Sequence, residues 1–558
     1  MSTLPPGDPA RGSAGDRAGS WRDRYNAARP EGVPLDPTSE PIEWVNAYPT
    51  DYAADHLLVT TTEDLKPVLE ALKPAAADFG WGIRLENLDR SELDIPTAND
   101  RALRGRRELD LPTIYRVQIF PQPSPDRDDQ PVPPIDAWRL LQRARARNGK
   151  KFRGVSLDHV MTIDPYGSKT GPYGSKTGPY GSKTGPYGSK TGIHGIESYG
   201  NPGSGGRQVA DYVGPPPVRA RQLARAGRRP VVAILDTGCG DHAWLPDDIV
   251  TRYPELDGRV IGATNVLTDP ELTGDLAGPF DGELDSSSGH GTFIAGIVRQ
   301  VCPEADLISV RVADSQGNVL EGAFMLAVRS LVKLMAQSRR KGGRQIDVMN
   351  LSLGYYHETP EDNLFDRTMS ELLLAARVRG CAVVCSAGND ATDRPTFPAA
   401  LWRWKGHDFR VPDSTAAAPH LAVGARNPNG TVALFSNIGD WVTTYAPGAS
   451  VLSTYPPFNG GMQPDVRNDR RDLRRESIDP DDFTGPRLPG QPDGLGTGFA
   501  LWSGTSFAAP YVAAQLAAEL TERLMSGQLS AVPDRVRALR DAKRRVTRRL
   551  DERGPRGE

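Results

Sequence analysis

The feature that most constrains the fold is a series of short apolar runs in the second half of the chain, several of them separated by segments with helical periodicity. The runs are Val231–Leu235, Leu307–Val312, Val348–Leu353, Ala382–Cys385 and Leu421–Val423. Gly322–Met335 and Leu364–Val378 are helical segments between them. Continuous apolar strands that alternate with helices are typical of a parallel sheet covered on both faces. The sequence therefore predicts an α/β domain, with any ligand at the carboxyl ends of its strands.

Three side chains with complementary chemistry follow this pattern. Asp236 ends the first apolar run, His290 directly precedes an apolar helical segment, and Ser506 precedes the helical stretch Tyr511–Leu520. A serine hydroxyl is a poor nucleophile at neutral pH and needs a base, such as a neutral imidazole, within hydrogen-bond reach. A carboxylate can fix the tautomer of that imidazole and stabilise the imidazolium. Asp236, His290 and Ser506 are therefore a candidate triad.

Eight short blocks, in one order, carry a resemblance to a known family. They are Asp-Thr-Gly at 236–238, His-Gly-Thr at 290–292, Asn-Leu-Ser-Leu-Gly at 350–354, Ser-Ala-Gly-Asn at 386–389, Ala-Val-Gly-Ala at 422–425, Phe-Ser-Asn-Ile-Gly at 435–439, Ala-Pro-Gly at 446–448 and Gly-Thr-Ser-Phe-Ala-Ala-Pro at 504–510. With these blocks the chain, over roughly 212–525, resembles the subtilisin-like serine peptidases (peptidase S8). The resemblance implies a subtilisin-like, mainly parallel sheet with helices on both faces. It also implies an endopeptidase that hydrolyses peptide bonds in proteins.

The same resemblance assigns roles to individual residues. Asp236, His290 and Ser506 would form the catalytic triad, and the side chain of Asn389 would join the Ser506 N–H in the oxyanion hole. Substrate contacts are implied for Ser352, Leu353, Gly354, Ala387 and Gly388. Main-chain groups there would pair with the substrate as an added strand. No metal or other cofactor is expected from the sequence, and a structural calcium ion is implied by the resemblance alone.

Each signal also has an alternative interpretation. Asp-Thr-Gly after a strand is often a turn, and it also occurs around the carboxylates of aspartic peptidases, which need two such motifs or a symmetric dimer. His-Gly-Thr and Gly-Thr-Ser are common at helix starts. A pseudo-enzyme that acts as a binding module retains the fold without the activity. Asp390 would favour a basic residue at the cleavage site, unless it is simply a solvated carboxylate.

A second, smaller domain is predicted over 55–163. Strand, helix, strand, strand, helix and strand follow one another at His56–Thr60, Leu65–Phe79, Gly82–Leu88, Thr113–Phe120, Ile135–Ala146 and Val155–Ile163. This order is that of a ferredoxin-like α+β fold. Its last segment, Val-Ser-Leu-Asp-His-Val at 155–160, resembles the end of the I9 propeptide of subtilisin-like enzymes. The resemblance implies an intramolecular inhibitor that covers the cleft, and an unrelated accessory domain is the alternative.

The remaining segments are predicted from composition. Residues 1–40 are rich in Pro, Gly and charge, which predicts a disordered tail. Residues 164–211 form a Gly/Pro-rich linker with four copies of Pro-Tyr-Gly-Ser-Lys-Thr-Gly. Ser stands where a phosphate loop requires Gly before Lys, so nucleotide binding is not expected. The peptidase domain would occupy 212–527, with an inserted charged loop at 456–495, and 528–558 would be a basic tail with a helix candidate at Asp534–Arg549.

Charge and cysteine content exclude several functions. Lys and Arg number 67 against 70 Asp and Glu, a balance that calls for neither a nucleic acid nor a membrane as partner. The first thirty residues lack the apolar core of a signal peptide. The only cysteines, Cys239, Cys302, Cys381 and Cys385, are too few for a disulfide framework. We therefore expect a cytoplasmic protein. The family resemblance implies that its partners are protein or peptide substrates and its own N-terminal domain.

Overall fold

The computed structural model of the chain describes residues 32–61, 65–88, 111–123, 131–163, 207–210, 213–274, 276–277, 284–361, 367–458 and 497–552. The four heptapeptide repeats, most of the predicted linker and nearly all of the predicted 456–495 insertion lie outside these residues. Within them, no helix combines the length and the apolar character needed to cross a bilayer.

The N-terminal unit is a small antiparallel sheet with two helices. Its strands are β1 (Val33–Pro34), β2 (Asp51–Thr61), β3 (Trp81–Asn87), β4 (Thr113–Pro121) and β5 (Val155–Thr162), and its helices are α1 (Lys66–Ala77) and α2 (Ala137–Asn148). The elements from β2 to β5 follow the predicted order of strand, helix, strand, strand, helix, strand. The sheet order β5-β2-β4-β3, with antiparallel neighbours throughout, is that of a ferredoxin-like fold. Leu57, Leu72 and Trp138 are buried in one cluster between sheet and helices.

The predicted tail over 1–40 is wrong for its last part. Strand β1 pairs antiparallel with β2, where Val33 lies opposite Tyr52. Leu35 is buried in the core of the N-terminal unit, and Glu40 forms ion pairs with Arg139 and Arg143 of α2. Two apolar residues in a Pro-rich segment are too few to establish a periodicity, which is why composition alone predicted disorder. Residues 1–31 lie outside the described part of the chain.

The large unit is built on the predicted parallel sheet. In chain order its elements are β6 (Gln208–Ala210), β7 (Val231–Asp236), β8 (Val250–Thr251), β9 (Glu255–Leu256), β10 (Arg259–Val260), α3 (His290–Val301), β11 (Asp306–Arg311), β12 (Asn318–Leu320), α4 (Glu321–Ala336), β13 (Val348–Leu351), α5 (Thr368–Arg377), β14 (Ala382–Ser386), β15 (His420–Arg426), β16 (Thr444–Pro447), β17 (Val451–Thr454), β18 (Phe499–Trp502), α6 (Thr505–Met525) and α7 (Val532–Glu552). Seven strands form one sheet in the order β16-β15-β14-β13-β7-β11-β8. All neighbours in it are parallel.

Helices cover both faces of this sheet, as the apolar runs predicted. Alternate residues of one strand enter different clusters: Val232 and Ile234 of β7 pack with α3 and α6, whereas Ala233 and Leu235 pack with α4 and α5. Since side chains of a strand alternate between faces, a run that is apolar at every position satisfies both layers.

Two boundaries predicted from composition are corrected by the structure. Residues 208–210, predicted as linker, form β6, which pairs with β18. Residues 532–552, predicted as a tail, form the expected helix, but α7 packs against α6 and buries Val536, Leu539, Val546 and Leu550 in the core. Because α7 contains eight basic residues, its charge alone predicted an exposed tail and gave no indication of this apolar face.

The two units share one sheet. Strand β12 of the large unit pairs antiparallel with β5 of the small unit, so that Asn318 lies opposite Thr162. This pairing brings the carboxyl end of β5 to the edge of the large sheet where the predicted site residues lie.

Candidate active site

Asp236 and His290 form the centre of the site. Asp236 is the last residue of β7 and His290 the first of α3. The Nδ1 atom of His290 lies 2.8 Å from Oδ1 of Asp236, and both side chains are completely buried. Because an ionised carboxylate only accepts hydrogen bonds, Nδ1 carries the proton and Nε2 is left as a base. Within the described part of the chain, Nε2 has no hydrogen-bond partner.

The rings around His290 limit access of water to it. The ring centroids of Trp502 and Phe507 lie 5.3 and 5.1 Å from that of the imidazole. Phe507 directly follows Ser506, so the helix start that carries the serine also contacts the histidine.

Ser506 lies in the first turn of α6. Its hydroxyl donates to the carbonyl of Ser352 over 3.3 Å, and the Ser352 hydroxyl donates to the carbonyl of Ser506 over 2.8 Å. The two serines therefore hold each other across the sheet edge. In this arrangement the Ser506 hydroxyl is bonded to Ser352 and not to His290.

Asn389 presents one buried donor without an acceptor. Its Oδ1 accepts from the main-chain N and the hydroxyl of Thr505, at 2.8 and 3.0 Å, which fixes the orientation of the amide. Its Nδ2 is buried and has no acceptor among the described residues. A buried unpaired donor costs about 1–3 kcal/mol, so this group is kept at a stability cost beside Ser506.

A small cavity of about 40 Å³ lies beside these groups. Of the residues predicted to contact substrate, Gly354 and Gly388 line it together with Asn389 and Ser506. Ser352, Leu353 and Ala387 are buried and do not line it. Asp390 also lines it, and its Oδ2 accepts a 2.6 Å hydrogen bond from the hydroxyl of Tyr356.

One wall of this cavity comes from the small unit. Thr50, Asp51, Val160 and Thr162 line it. Thr162 N donates to the carbonyl of Gly354 over 2.9 Å, and Gly354 N donates back over 3.1 Å. One residue further on, Ile163 N donates to the carbonyl of Gly317 over 2.7 Å. The last residues of β5 are therefore held by main-chain groups of the large unit.

A buried charge cluster, which the sequence did not predict, joins the two units nearby. His159 of β5 lies between two carboxylates of the large unit, with Nδ1 2.6 Å from Glu321 Oε2 and Nε2 2.7 Å from Glu358 Oε2. Burial alone would lower the pKa of His159, but the charge of Glu358 and the hydrogen bonds to both carboxylates outweigh it and raise this pKa to about 10. His159 is therefore an imidazolium at neutral pH.

Ligand atoms of His159, His357 and Glu358 also lie within 4.8 Å of one another, close enough to hold a metal ion. However, both nitrogens of His159 already bind carboxylates, and Nη2 of Arg145 lies 3.8 Å from Glu358 Oε1. Because these cations balance the carboxylates, the geometry favours an ion-pair cluster over a metal site.

Sequence reasoning missed two further groups at the site. Glu271, in the segment between Asp236 and His290, is bonded to residues next to both of them. The guanidinium of Arg207 donates to the carbonyl of Ser288, two residues before His290. No motif marks Glu271 within the interval from 236 to 290, so the sequence offered no signal for it. Arg207 lies within the predicted linker, and the sequence offered no signal for its role.

Comparisons with known proteins agree on one family. The model of the subtilase family, peptidase S8, matches residues 227–539. An intracellular serine protease of Paenibacillus polymyxa is 28% identical over 245 residues, which cover 41% of this chain and 60% of that protein. Subtilisin-like protease 9 of Arthroderma gypseum is 27% identical over 209 residues, or 37% of this chain and 42% of that protein. Subtilisin BL of Lederbergia lenta is 29% identical over 251 residues, or 43% of this chain and 71% of that protein.

The similarity spans less than two thirds of the first two of these relatives. Among solved structures, a cold adapted subtilisin-like serine proteinase matches with a TM-score of 0.30 and 19% identity, over 57% of this chain and 87% of that one. A lanthipeptide protease matches with a TM-score of 0.35 and 19% identity, over 55% of this chain and 79% of that one.

Proposed function

The chain belongs to the subtilase family, and from this premise we propose that it is a serine endopeptidase, held inactive by its own N-terminal domain until it is processed or triggered. The observation that carries the proposal is the 2.8 Å hydrogen bond between Asp236 and His290, beside two buried nitrogens that lack a partner among the described residues. These are Nε2 of His290 and Nδ2 of Asn389. One is suited to accept a proton, and the other to donate to a developing negative charge.

The proposed reaction follows from these positions. The Ser506 hydroxyl turns from the carbonyl of Ser352 to His290, gives its proton to Nε2 and attacks the substrate carbonyl. Asp236 stabilises the imidazolium without taking the proton. The oxyanion accepts from Nδ2 of Asn389 and from the N–H of Ser506, since N–H groups in the first turn of a helix have no intrahelical acceptor. His290 then protonates the leaving amine, and water hydrolyses the acyl-enzyme by the same proton path.

Inhibition by the N-terminal domain is supported by the way β5 ends. The hydrogen bonds of Thr162 to Gly354 and of Ile163 to Gly317 use main-chain groups of the kind that would bind a substrate as an added strand. With β5 in place, the cavity beside Ser506 measures about 40 Å³, room for only a few water molecules. A longer substrate therefore has to displace the end of β5. An accessory domain with no inhibitory role remains the alternative.

A reducing, cytoplasmic compartment is part of the proposal. All four cysteines are buried free thiols. Burial raises the pKa of the Cys239 thiol to about 12, which keeps it in the unreactive protonated form.

The test is to follow the intact mass of the full chain over time, for the wild type and for Ser506→Ala, and to treat both with a fluorophosphonate. We expect the label on Ser506 of the wild type alone, and a cut N-terminal to the peptidase domain in the wild type alone. A wild type that takes no label would overturn the enzyme proposal and favour a binding module. A wild type that is labelled as fast with the N-terminal domain as without it would overturn inhibition only.

A further inference from the structure

Glu271 lies in the segment between β10 and α3 and is almost completely buried, with 4% of its surface exposed. Its carboxylate accepts three hydrogen bonds. Oε1 accepts from the hydroxyl of Thr237 and, over 3.1 Å, from Gly291 N, and Oε2 accepts from the hydroxyl of Thr292 over 2.6 Å. Both oxygens are therefore occupied.

All three donors lie within two residues of Asp236 or His290 in the sequence. Thr237 follows Asp236 at the end of β7, and Gly291 and Thr292 follow His290 at the start of α3. One carboxylate thus ties the strand that carries the acid to the helix that carries the base. The Thr292 hydroxyl also accepts from Gly240 N over 2.7 Å, which adds the loop after β7 to the same network.

The hydroxyl of Thr237 has a single proton and two carboxylates within reach. Its oxygen lies 3.2 Å from Oδ1 of Asp236 and closer to Oε1 of Glu271. Asp236 Oδ1 is also the atom that binds Nδ1 of His290. Whichever carboxylate receives the Thr237 proton, the other has one hydrogen bond fewer.

We propose that Glu271 is a positioning residue which, through the hydroxyl of Thr237, sets how strongly Asp236 binds the imidazole and so sets the basicity of His290. The inference rests on the proposed serine peptidase function. When Glu271 is ionised it accepts the hydrogen bond of the Thr237 hydroxyl. Asp236 then receives no hydrogen bond from that hydroxyl, and its negative charge acts more strongly on His290. When Glu271 is neutral it donates to Thr237, whose proton then turns to Asp236 and weakens the Asp236–His290 bond.

The surroundings of Glu271 support a titration near neutral pH. Burial raises the pKa of Glu271 to about 7, the hydrogen bonds from Thr237 and Thr292 oppose this rise, and the charges of Asp269 and Asp236 add to it. The titratable groups whose charges interact with it are Asp236, Asp269, Cys239 and Tyr455. Arg311 lies near the same glycine, Gly238, as Glu271, and His290 is bonded to Asp236. Arg311 pairs with Asp269 at 3.3 Å, and in the described part of the chain no cation forms an ion pair with Glu271.

The test is the pH profile, from pH 5 to 9, of the second-order rate at which a fluorophosphonate labels Ser506 in the full chain. Glu271→Gln mimics the neutral form at every pH. We expect the wild-type rate to rise through two ionisations and the Glu271→Gln rate through one. In Glu271→Gln the midpoint should fall by about 0.5–1 pH unit, as expected for a histidine that loses a nearby negative charge, and the plateau by about 2–5-fold, because a weaker base transfers the proton less well.

Thr237→Val is the matched control, since it removes the hydroxyl that relays the effect. In the Thr237→Val background, Glu271→Gln should no longer lower the plateau or move the midpoint by more than a small electrostatic remainder. If Glu271 is only structural, its substitution lowers the rate by the same factor at all pH values, and the proposal is overturned.

A second measurement does not depend on labelling. The low-field ¹H resonance of the His290 Nδ1–H should shift with the titration of Glu271 in the wild type and lose this step in Glu271→Gln. An unchanged pH dependence of this resonance would overturn the role of Glu271. Absence of any label on Ser506, with the step in the resonance present, would instead overturn only the proposed peptidase function.

Discussion

Thr162 and Gly354 exchange two main-chain hydrogen bonds, at 2.9 and 3.1 Å, across the boundary between the two units. Gly354 belongs to the block at 350–354 whose main chain was expected to bind substrate. The end of the N-terminal domain therefore pairs antiparallel with this block, and under the proposed function it would compete with substrate for the same main-chain groups.

Replacement of Thr162 by proline should weaken this competition. Proline removes the N–H that donates to Gly354 and keeps the carbonyl. Loss of one such bond costs about 1 kcal/mol, so a fluorophosphonate should label Ser506 in the uncut full chain roughly 5–10-fold faster. Thr162→Ala, which keeps both main-chain groups, is the control and should be labelled at the wild-type rate. Equal rates for all three proteins would show that this pairing does not restrict the site.

Removal of the Asn389 donor should slow turnover and leave substrate binding almost unchanged. Nδ2 would meet the oxyanion only after attack, so its loss acts on the transition state. We expect kcat to fall roughly 100- to 1000-fold, the size known for an oxyanion-hole donor of a subtilisin, with KM changed little. The measurement is steady-state hydrolysis of an unfolded protein substrate.

The variant has to be chosen with the second role of Asn389 in mind. Its Oδ1 accepts from Thr505 N over 2.8 Å, and Asn389→Leu would leave that donor unpaired. Asn389→Asp keeps the acceptor and removes the donor, so both variants should lose turnover but only Asn389→Leu should also lose stability. A raised KM with an unchanged kcat would contradict the oxyanion role.

The sequence predicted those parts of the molecule whose signal is local. The strand ends, the helix starts and the blocks around Asp236, His290 and Ser506 are each carried by a few consecutive residues, and the structure brings the first two into contact. The bonds of Glu271, His159 and Arg207 join residues between 20 and 248 positions apart. Such contacts have no period and no motif, so a single sequence contains nothing that would indicate them.

Loss of the His159 charge should loosen the docked N-terminal domain. Removing one partner of a buried ion pair typically costs about 3–5 kcal/mol, because Glu321 and Glu358 would remain buried with less compensation. His159→Gln should therefore raise the hydrogen-exchange rates of the β5 amides at pH 7. His407→Gln, at an imidazole that is 87% exposed, is the matched control and should leave these rates unchanged.

The same contact should depend on pH in a defined direction. The pKa of His159 is raised from 6.5 to about 10 in the folded chain. Its stabilising contribution is therefore complete below about pH 6.5 and is lost as the pH rises through 10. After correction for intrinsic exchange, β5 protection should decline from pH 7 to 10 in the wild type and less in His159→Gln. The comparison isolates His159, because His56, whose pKa is also raised by its bonds to Asp158 and Asp55, is present in both proteins. An equal decline in the two proteins would contradict the assignment.

Arg207 connects the end of the predicted linker to the segment that precedes His290 of the proposed triad. Its guanidinium is completely buried and donates to the carbonyls of Ser288 and Leu284, each over 3.1 Å, and to the hydroxyl of Tyr455 over 2.7 Å. It also lies over the ring of Trp502 at 5.1 Å, the ring that covers one side of His290. The segment from 284 to 290 is thus held in place by a residue that precedes β6.

Replacement of Arg207 by methionine should therefore impair both stability and activity. Methionine fills similar space without a donor, and unpaired buried carbonyls cost about 1–3 kcal/mol each, so the urea midpoint of the full chain should fall. Because the segment before His290 loses these hydrogen bonds, the labelling rate of Ser506 should also fall. A rise of about 1.4 kcal/mol in the activation free energy of labelling would lower the rate about tenfold. Arg207→Lys retains a charge but can replace only part of this donor set. We expect its urea midpoint and its labelling rate to lie between those of Arg207→Met and the wild type. Arg225→Met, at an exposed position of the same unit, is the control and should match the wild type in both measurements. If Arg207→Met lowers the urea midpoint but labels Ser506 at the wild-type rate, Arg207 supports the fold alone and does not position the histidine.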